Sequence, residues 1–118
     1  MKIMIDGEEV SVWYKHRHDG AGRVKKSTLH RTYFDAVDSG QVVMHEELPE
    51  LHGFTICQIE DENRVPVATG YSFCGDKDQF SREEGRYYSL IRAWADLKGI
   101  TFYAALQVLE EKSEVFVP

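Results

Sequence analysis

Residues 81–99 read SREEGRYYSLIRAWADLKG, and the apolar pattern of the chain changes here. Upstream, apolar residues alternate with a period of two, as in β-strands. Within this stretch they recur every three or four positions, as on one face of a helix. Ser81 is a suitable N-cap, Glu84 completes a capping box three residues later, and Gly99 is suited to end the helix. The sequence therefore predicts a helix over 81–98.

A second helix is predicted over residues 101–112. Thr101 is a suitable N-cap. The residues after it place an apolar stripe at helical spacing, formed by Phe102, Ala105, Leu106 and Leu109.

The part of the chain before residue 80 predicts about six antiparallel strands joined by turns. These strands are Lys2–Ile5, Val10–His16, Thr28–Ala36, Gln41–His45, Phe54–Ile59 and Val67–Cys74. His18–Lys26 contains two glycines and several charges, which predicts a loop. Strands followed by helices indicate the α+β class: an antiparallel β-sheet followed by two C-terminal α-helices, in one domain over residues 1–118.

Composition and charge limit the partners that the protein can bind and the compartment in which it can lie. The chain has 118 residues and a formal charge of -6, which disfavours binding to long nucleic acid. It contains no apolar run of the roughly 20 residues that a membrane helix needs, and its N-terminus does not resemble a signal peptide. Cys57 and Cys74 lie in apolar stretches without metal-binding spacing, so we expect free core thiols in a reducing compartment. These observations predict a soluble cytoplasmic protein without membrane contact.

Catalytic and metal-binding motifs are weak. The sequence has no Gly-x-Ser-x-Gly elbow and no histidine next to either cysteine, so we expect no enzyme activity and no cofactor. His16 and His18 share a strand face next to Asp19, which makes an incomplete metal site. A third ligand, such as His30 or His45, would have to come from another strand. Histidines at strand ends are common without a metal, so we predict no metal site.

The best candidate binding site lies over residues 74–86, where a polar loop enters a helix. A helix N-terminus favours an anion. Arg82 and Arg86 are one turn apart, so both guanidinium groups can hold one phosphate. Gly85 costs about 1 kcal/mol relative to alanine inside a helix, which indicates that a packed strand or a ligand approaches the backbone closely. The alternative is a solvated face on which neighbouring glutamates pair with the arginines.

Residues 77–86 also carry a family resemblance. They read KDQFSREEGR and fit the spacing KDxFSRxxGR, which resembles a motif of the phage anti-Thoeris sponge proteins of the first described type. The resemblance implies a non-enzymatic protein in the cytoplasm of an infected bacterial host. Such a protein sequesters a cyclic ADP-ribose isomer or related cyclic nucleotide immune signal and so blocks antiviral defence. It further implies an antiparallel sheet followed by two helices, with binding pockets at a homodimer interface.

A ligand of this class needs cations for its pyrophosphate and an aromatic face for its adenine. Stacking of a base on an aromatic side chain is worth about 1–3 kcal/mol. The expected ligand-binding residues are Arg82, Arg86, Phe80, Ser81, Tyr71, Phe73 and Lys77. Arg92 is expected to point away from the apolar stripe, so that its replacement has a milder effect.

Two further expectations concern partners. Small size, acidic charge and exposed aromatics also suit a protein-binding inhibitor, such as an anti-CRISPR or host-takeover factor, and this is the alternative function. A single sheet leaves one face and its edges open. The surplus of aromatics such as Trp13, the apolar tail Val115–Val117 and the resemblance together predict a homodimer or higher oligomer.

Overall fold

The computed structural model describes residues 1–18, 25–44, 50–75 and 81–113. Its elements are β1 (Lys2–Ile5), β2 (Glu8–His18), α1 (Lys26–Asp38), β3 (Leu51–Glu60), β4 (Pro66–Gly75), α2 (Arg82–Lys98) and α3 (Phe102–Lys112). The strands form one antiparallel sheet in the order β1-β2-β3-β4. The described residues therefore confirm the α+β class.

The prediction of six strands and two helices is wrong in its counts, because the described residues form a four-stranded sheet and three helices. The predicted strand Thr28–Ala36 lies within α1. Its β-branched and aromatic residues favour a strand, but Leu29, Tyr33 and Ala36 recur at helical spacing and are buried on one side of the helix. Burial of that side against the sheet outweighs the strand propensity. Helix α1 also departs from the architecture that the family resemblance implies.

The predicted strand Gln41–His45 is absent from residues 41–44, and His45 lies outside the described residues. The side chain of Gln41 instead bonds to the edge of β4. Its Nε2 donates to the carbonyl oxygen of Thr69 over 2.7 Å, and its Oε1 accepts from the backbone N–H of Tyr71 over 3.0 Å. One side-chain amide thus takes the place of a neighbouring strand.

Both ends of the predicted loop His18–Lys26 belong to neighbouring elements in the structure. His18 belongs to β2, Lys25 is the N-cap of α1, and Lys26 is its first residue. The remaining positions of that loop lie outside the described residues.

Both C-terminal helices are confirmed, together with their caps. The Ser81 hydroxyl accepts the backbone N–H of Glu84 over 3.2 Å, and Gly99 ends α2 with a left-handed φ of 64°. The Thr101 hydroxyl accepts the N–H of Ala104 over 3.1 Å at the start of α3. None of the described helices is long and apolar enough to cross a membrane.

The sheet has two unlike faces. The inner face, which carries Val12, Tyr14 and His16 of β2, lies under α2, and α2 also packs against α3. The outer face carries the alternate residues of each strand, and α1 covers part of it, where Tyr33 contacts Phe73 edge to face with ring centroids 5.7 Å apart. The main core lies under α2 and α3 and consists of Ile5, Val10, Val12, Cys57, Ile59, Ala68, Leu90, Ile91, Ala93, Trp94, Ala105 and Leu109.

Candidate anion-binding site at the start of helix α2

Gly85 explains how α2 is seated on the sheet. The residue is buried, and a Cβ atom at this position would collide with the side chain of Thr55 on β3. Of the two reasons that the sequence suggests for this glycine, close packing against a strand is the one that the structure shows. The first turns of α2 therefore lie directly above the inner face, and they carry Arg82 and Arg86 with them.

His16 lies on the inner face of the sheet beside Thr55, the residue on which Gly85 packs. Its Nδ1 is 2.7 Å from the hydroxyl oxygen of Thr55, at hydrogen-bond distance. Burial lowers the pKa of His16, and the positive charges of Arg86 and Arg82 lower it further. Gly85, which lies between the two arginines, packs on the same Thr55, so His16 lies near the first turns of α2. Three nitrogen-bearing side chains come together at the start of α2.

The aromatic surface beside the arginines is formed by Tyr14 and His16. Their rings are stacked, with centroids 6.2 Å apart and planes 15° apart. Burial raises the pKa of Tyr14, and the charge of Arg86 acts in the opposite direction. Neither residue was among the predicted ligand-binding residues. The period-two alternation along β2 was the available signal, because it predicts that both lie on one face.

Tyr71 and Phe73 lie on the other side of the sheet. Their rings are stacked on each other with centroids 6.4 Å apart, and Phe73 contacts Tyr33 of α1. Side chains alternate along a strand, and Gly70 is the β4 residue that meets α2. The structure therefore does not bring Tyr71 and Phe73 together with the arginines.

Three predicted residues are brought together. Ser81 caps α2, and Arg82 and Arg86 follow it on exposed positions. Phe80 and Lys77 lie outside the described residues. Within the described residues, the site therefore consists of the helix start, two arginines and the stacked pair of rings on β2.

Arg92 differs from the prediction that it points away from the apolar stripe. It is half-buried, its Nη1 donates to the carbonyl oxygen of Tyr71 over 2.6 Å, and its guanidinium lies 5.8 Å from the centroid of the Phe102 ring. Burial lowers its pKa. Arg92 therefore links α2 to the edge of β4 and is unsuited as a neutral control.

Both cysteines are free thiols. Burial raises the pKa of Cys57 to about 12, although the hydrogen bond with Tyr14 acts in the opposite direction. At neutral pH this thiol is protonated, so it is a poor nucleophile and a poor metal ligand.

A metal site is not formed by the described residues, since no group of three His, Cys, Asp or Glu among them is arranged to hold an ion. His16 is engaged with Thr55, and His18 lies near His52 with ring centroids 6.2 Å apart. Asp19 and His45 lie outside the described residues.

A second concave region lies between the end of α1 and the turn that joins α2 to α3. Its volume is about 870 Å³. It is lined by Ser39, Gly40, Gln41, Val43, Arg92, Ala95, Asp96, Gly99, Ile100, Thr101, Phe102 and Tyr103. This cleft is separate from the start of α2, because its α2 residues belong to the second half of that helix.

The chain matches no protein-family model, no curated protein and no solved structure. What it does must therefore be inferred from its own residues. Two guanidinium groups beside a helix N-terminus can bind a phosphate or another anion, and the neighbouring rings can contact a planar group.

Proposed function

We propose that the protein binds and sequesters a small phosphate-bearing nucleotide at the start of α2, without altering it chemically. The observation that carries this proposal is the packing of Gly85, which lies between Arg82 and Arg86, on Thr55, whose hydroxyl oxygen is 2.7 Å from Nδ1 of His16. The two cations lie one turn apart at a capped helix N-terminus, whose dipole favours negative charge. Guanidinium groups bind phosphate oxygens in pairs, which adds specificity to the attraction.

The neighbouring rings support a nucleotide rather than a simple anion. Tyr14 and His16 are stacked on the face of the sheet that lies under α2 and are each partly exposed, and partly exposed rings can stack on a base. The motif over residues 77–86 supports a cyclic nucleotide immune signal, such as a cyclic ADP-ribose isomer, in an infected bacterial host. The proposal therefore includes that ligand class and that setting.

Sequestration rather than turnover is supported by the chemistry of Cys57 and Tyr14, two groups on the inner face of the sheet under α2. The thiol of Cys57 has a pKa of about 12. Burial also raises the pKa of the Tyr14 hydroxyl. Both groups are protonated at neutral pH, which disfavours nucleophilic attack. A sponge needs tight binding and no reactive group.

Titration calorimetry with cyclic ADP-ribose isomers and cyclic dinucleotides tests the site. Arg82→Ala and Arg86→Ala should each weaken binding by about ten- to a hundredfold, because a charge-assisted hydrogen bond is worth about 1.5–3 kcal/mol. Both side chains are exposed, so the free energy of unfolding should change by less than about 0.5 kcal/mol. Arg31→Ala, which removes an exposed arginine of α1, is the matched control and should bind like the parent.

Recovery of the ligand distinguishes a sequestering protein from an enzyme. Heating the complex should return the nucleotide intact, whereas an enzyme would return a product. The proposal is wrong if the parent binds no member of the panel, or if both arginine variants bind as tightly as the parent.

A protein-binding inhibitor is the second candidate, and the cleft beside the α2–α3 turn favours it. Tyr103 is 78% exposed and Ile100 is 37% exposed at its rim. Exposed aromatics beside a cleft are typical of protein contacts. If this candidate is correct, the parent takes up no nucleotide, and Tyr103→Ala abolishes inhibition while Arg82→Ala does not.

A further inference from the structure

The cleft between the end of α1 and the α2–α3 turn contains two opposite charges that do not pair with each other. Arg92 and Asp96 both line it, about one turn apart on the same side of α2. Residues of opposite charge at this spacing commonly form an ion pair. Among the described residues, however, no ion pair includes either of them. The cleft therefore holds one cation and one anion, and neither has a counter-charge in that part of the chain.

Contacts with the edge of β4 hold these two charges apart. Nη1 of Arg92 donates to the carbonyl oxygen of Tyr71 over 2.6 Å, and a carboxylate oxygen of Asp96 accepts the backbone N–H of Thr69 over 3.3 Å. Tyr71 and Thr69 are two residues apart, which is about 7 Å at the usual rise of a strand. A guanidinium group has five N–H donors and a carboxylate has two oxygens, so one contact does not use up either group. Both side chains therefore keep hydrogen-bonding capacity for a ligand.

Apolar and aromatic side chains lie beside the charged pair. The centroid of the Phe102 ring is 5.8 Å from the guanidinium of Arg92. Phe102 and Tyr103 meet edge to face with centroids 5.6 Å apart, and Ile100 lies at the same rim. The cleft has a volume of about 870 Å³, which falls within the range of about 300–1,000 Å³ that is usual for small-ligand sites. It therefore has room for a planar apolar group next to the two charges.

We propose that this cleft binds a free α-amino acid with an aromatic side chain. The ligand's carboxylate accepts hydrogen bonds from Arg92, its ammonium group donates to Asp96, and its ring lies against Phe102 and Tyr103. The ammonium nitrogen and a carboxylate oxygen of one amino acid are about 3 Å apart, and a hydrogen bond of about 2.8 Å at each end extends this to about 9 Å. That reach is similar to the spacing at which β4 holds the two charged side chains.

The balance of charge favours an amino acid over a phosphate in this cleft. A phosphate group carries a charge of about −1.5 to −2 at neutral pH, and it would meet a single guanidinium group and the opposing carboxylate of Asp96. An amino acid carries one charge of each sign, so both of its charges find a partner. It also differs from a partner protein, because a residue within a peptide chain has neither a free ammonium group nor a free carboxylate. The inference goes beyond the nucleotide site, which lies at the other end of α2.

Titration calorimetry of the full chain with phenylalanine, tyrosine and tryptophan, in the absence of nucleotide, tests the site. A Kd on the order of 0.1 mM is expected for a ligand of this size. N-acetyl-phenylalanine lacks the ammonium group and phenylalaninamide lacks the carboxylate, so each should bind about tenfold more weakly than phenylalanine or worse. The inference is overturned if none of the three amino acids binds, or if either blocked compound binds as tightly as phenylalanine.

Two variants assign the two charges. Asp96→Asn keeps a side-chain oxygen for the N–H of Thr69 but removes the negative charge, and it should weaken phenylalanine binding by about tenfold. Arg92→Gln keeps a donor for the carbonyl of Tyr71 but removes the guanidinium group, and it should weaken binding by about ten- to a hundredfold. Arg31→Ala, which removes an exposed arginine of α1, is the matched control and should bind like the parent. Circular dichroism checks that each variant is folded. Unchanged binding in folded Asp96→Asn, which alters an exposed side chain, would also overturn the inference.

Discussion

The inner and outer faces of this sheet are built from alternate residues of the same strands, yet they have different roles. On the inner face, Gly70 and Gly85 let α2 approach until backbone and side chains touch. On the outer face, Trp13 remains half exposed. The difference indicates that the inner face supplies most of the stability, whereas the outer face and the start of α2 are available for binding.

The edge of β4 lies between these two faces and is closed by side chains. Gln41 bonds to Thr69 and Tyr71, Asp96 accepts the N–H of Thr69 over 3.3 Å, and Arg92 donates to the carbonyl of Tyr71. Open strand edges invite pairing with another chain. Because these backbone groups already have partners, strand addition at this part of β4 is disfavoured.

Among the variants that test this difference between the faces, Gly70→Ala should lower the free energy of unfolding most. The added Cβ would collide with the carbonyl oxygen of Ser89 and the backbone of Ala93, which cannot rotate away. Overpacking of this kind costs about 3 kcal/mol. Urea denaturation of Gly70→Ala should show this loss, whereas Val67→Ala on the outer face should change the free energy of unfolding by less than about 1 kcal/mol. Equal losses for the two variants would remove the distinction between the faces.

A smaller effect is expected from Arg92→Ala at the border between the faces. The variant leaves the carbonyl of Tyr71 without this donor and removes the contact with Phe102. The expected cost is about 2 kcal/mol in the free energy of unfolding. Thermal and urea unfolding should show it, with Arg31→Ala as the exposed control. An unchanged midpoint for Arg92→Ala would show that Gln41 and Asp96 suffice to hold the edge.

The smallest expected effect is a pH dependence of the free energy of unfolding, caused by His16 on the inner face. Because the folded state lowers the pKa of His16 from its ordinary value of 6.5, the unfolded chain takes up a proton first as the pH falls. The stability that neutral His16 contributes is present above pH 6.5 and is lost as the pH falls through the lowered pKa. Urea midpoints measured between pH 7.5 and about 5 should therefore decline less in His16→Gln than in the parent.

His52→Gln is the control for this measurement, because it removes an imidazole from β3, three residues away from Thr55. If His16→Gln and the parent lose stability in parallel, burial beneath Arg82 and Arg86 does not govern the acid response.

Part of the candidate site was predictable and part was not. The spacing of Arg82 and Arg86 and the cap at Ser81 place two cations at one helix start, and they do so through local geometry. The aromatic partners were not predictable in the same way. Tyr71 and Phe73 are near this helix in sequence but lie on the opposite face, because one residue of register moves a side chain to the other side of a sheet.

The sequence by itself determined α2 and α3, because caps and the 3.6-residue period act between residues at most four positions apart. Only the tertiary structure decided that 26–38 is a helix, because strand propensity and helical spacing conflict there and packing against Phe73 settles the outcome. It also decided that Gly85 packs against Thr55, and that Thr55 lies at hydrogen-bond distance from His16. These pairs join distant parts of the chain, and their contact depends on how the helix lies across the sheet, which no local pattern encodes.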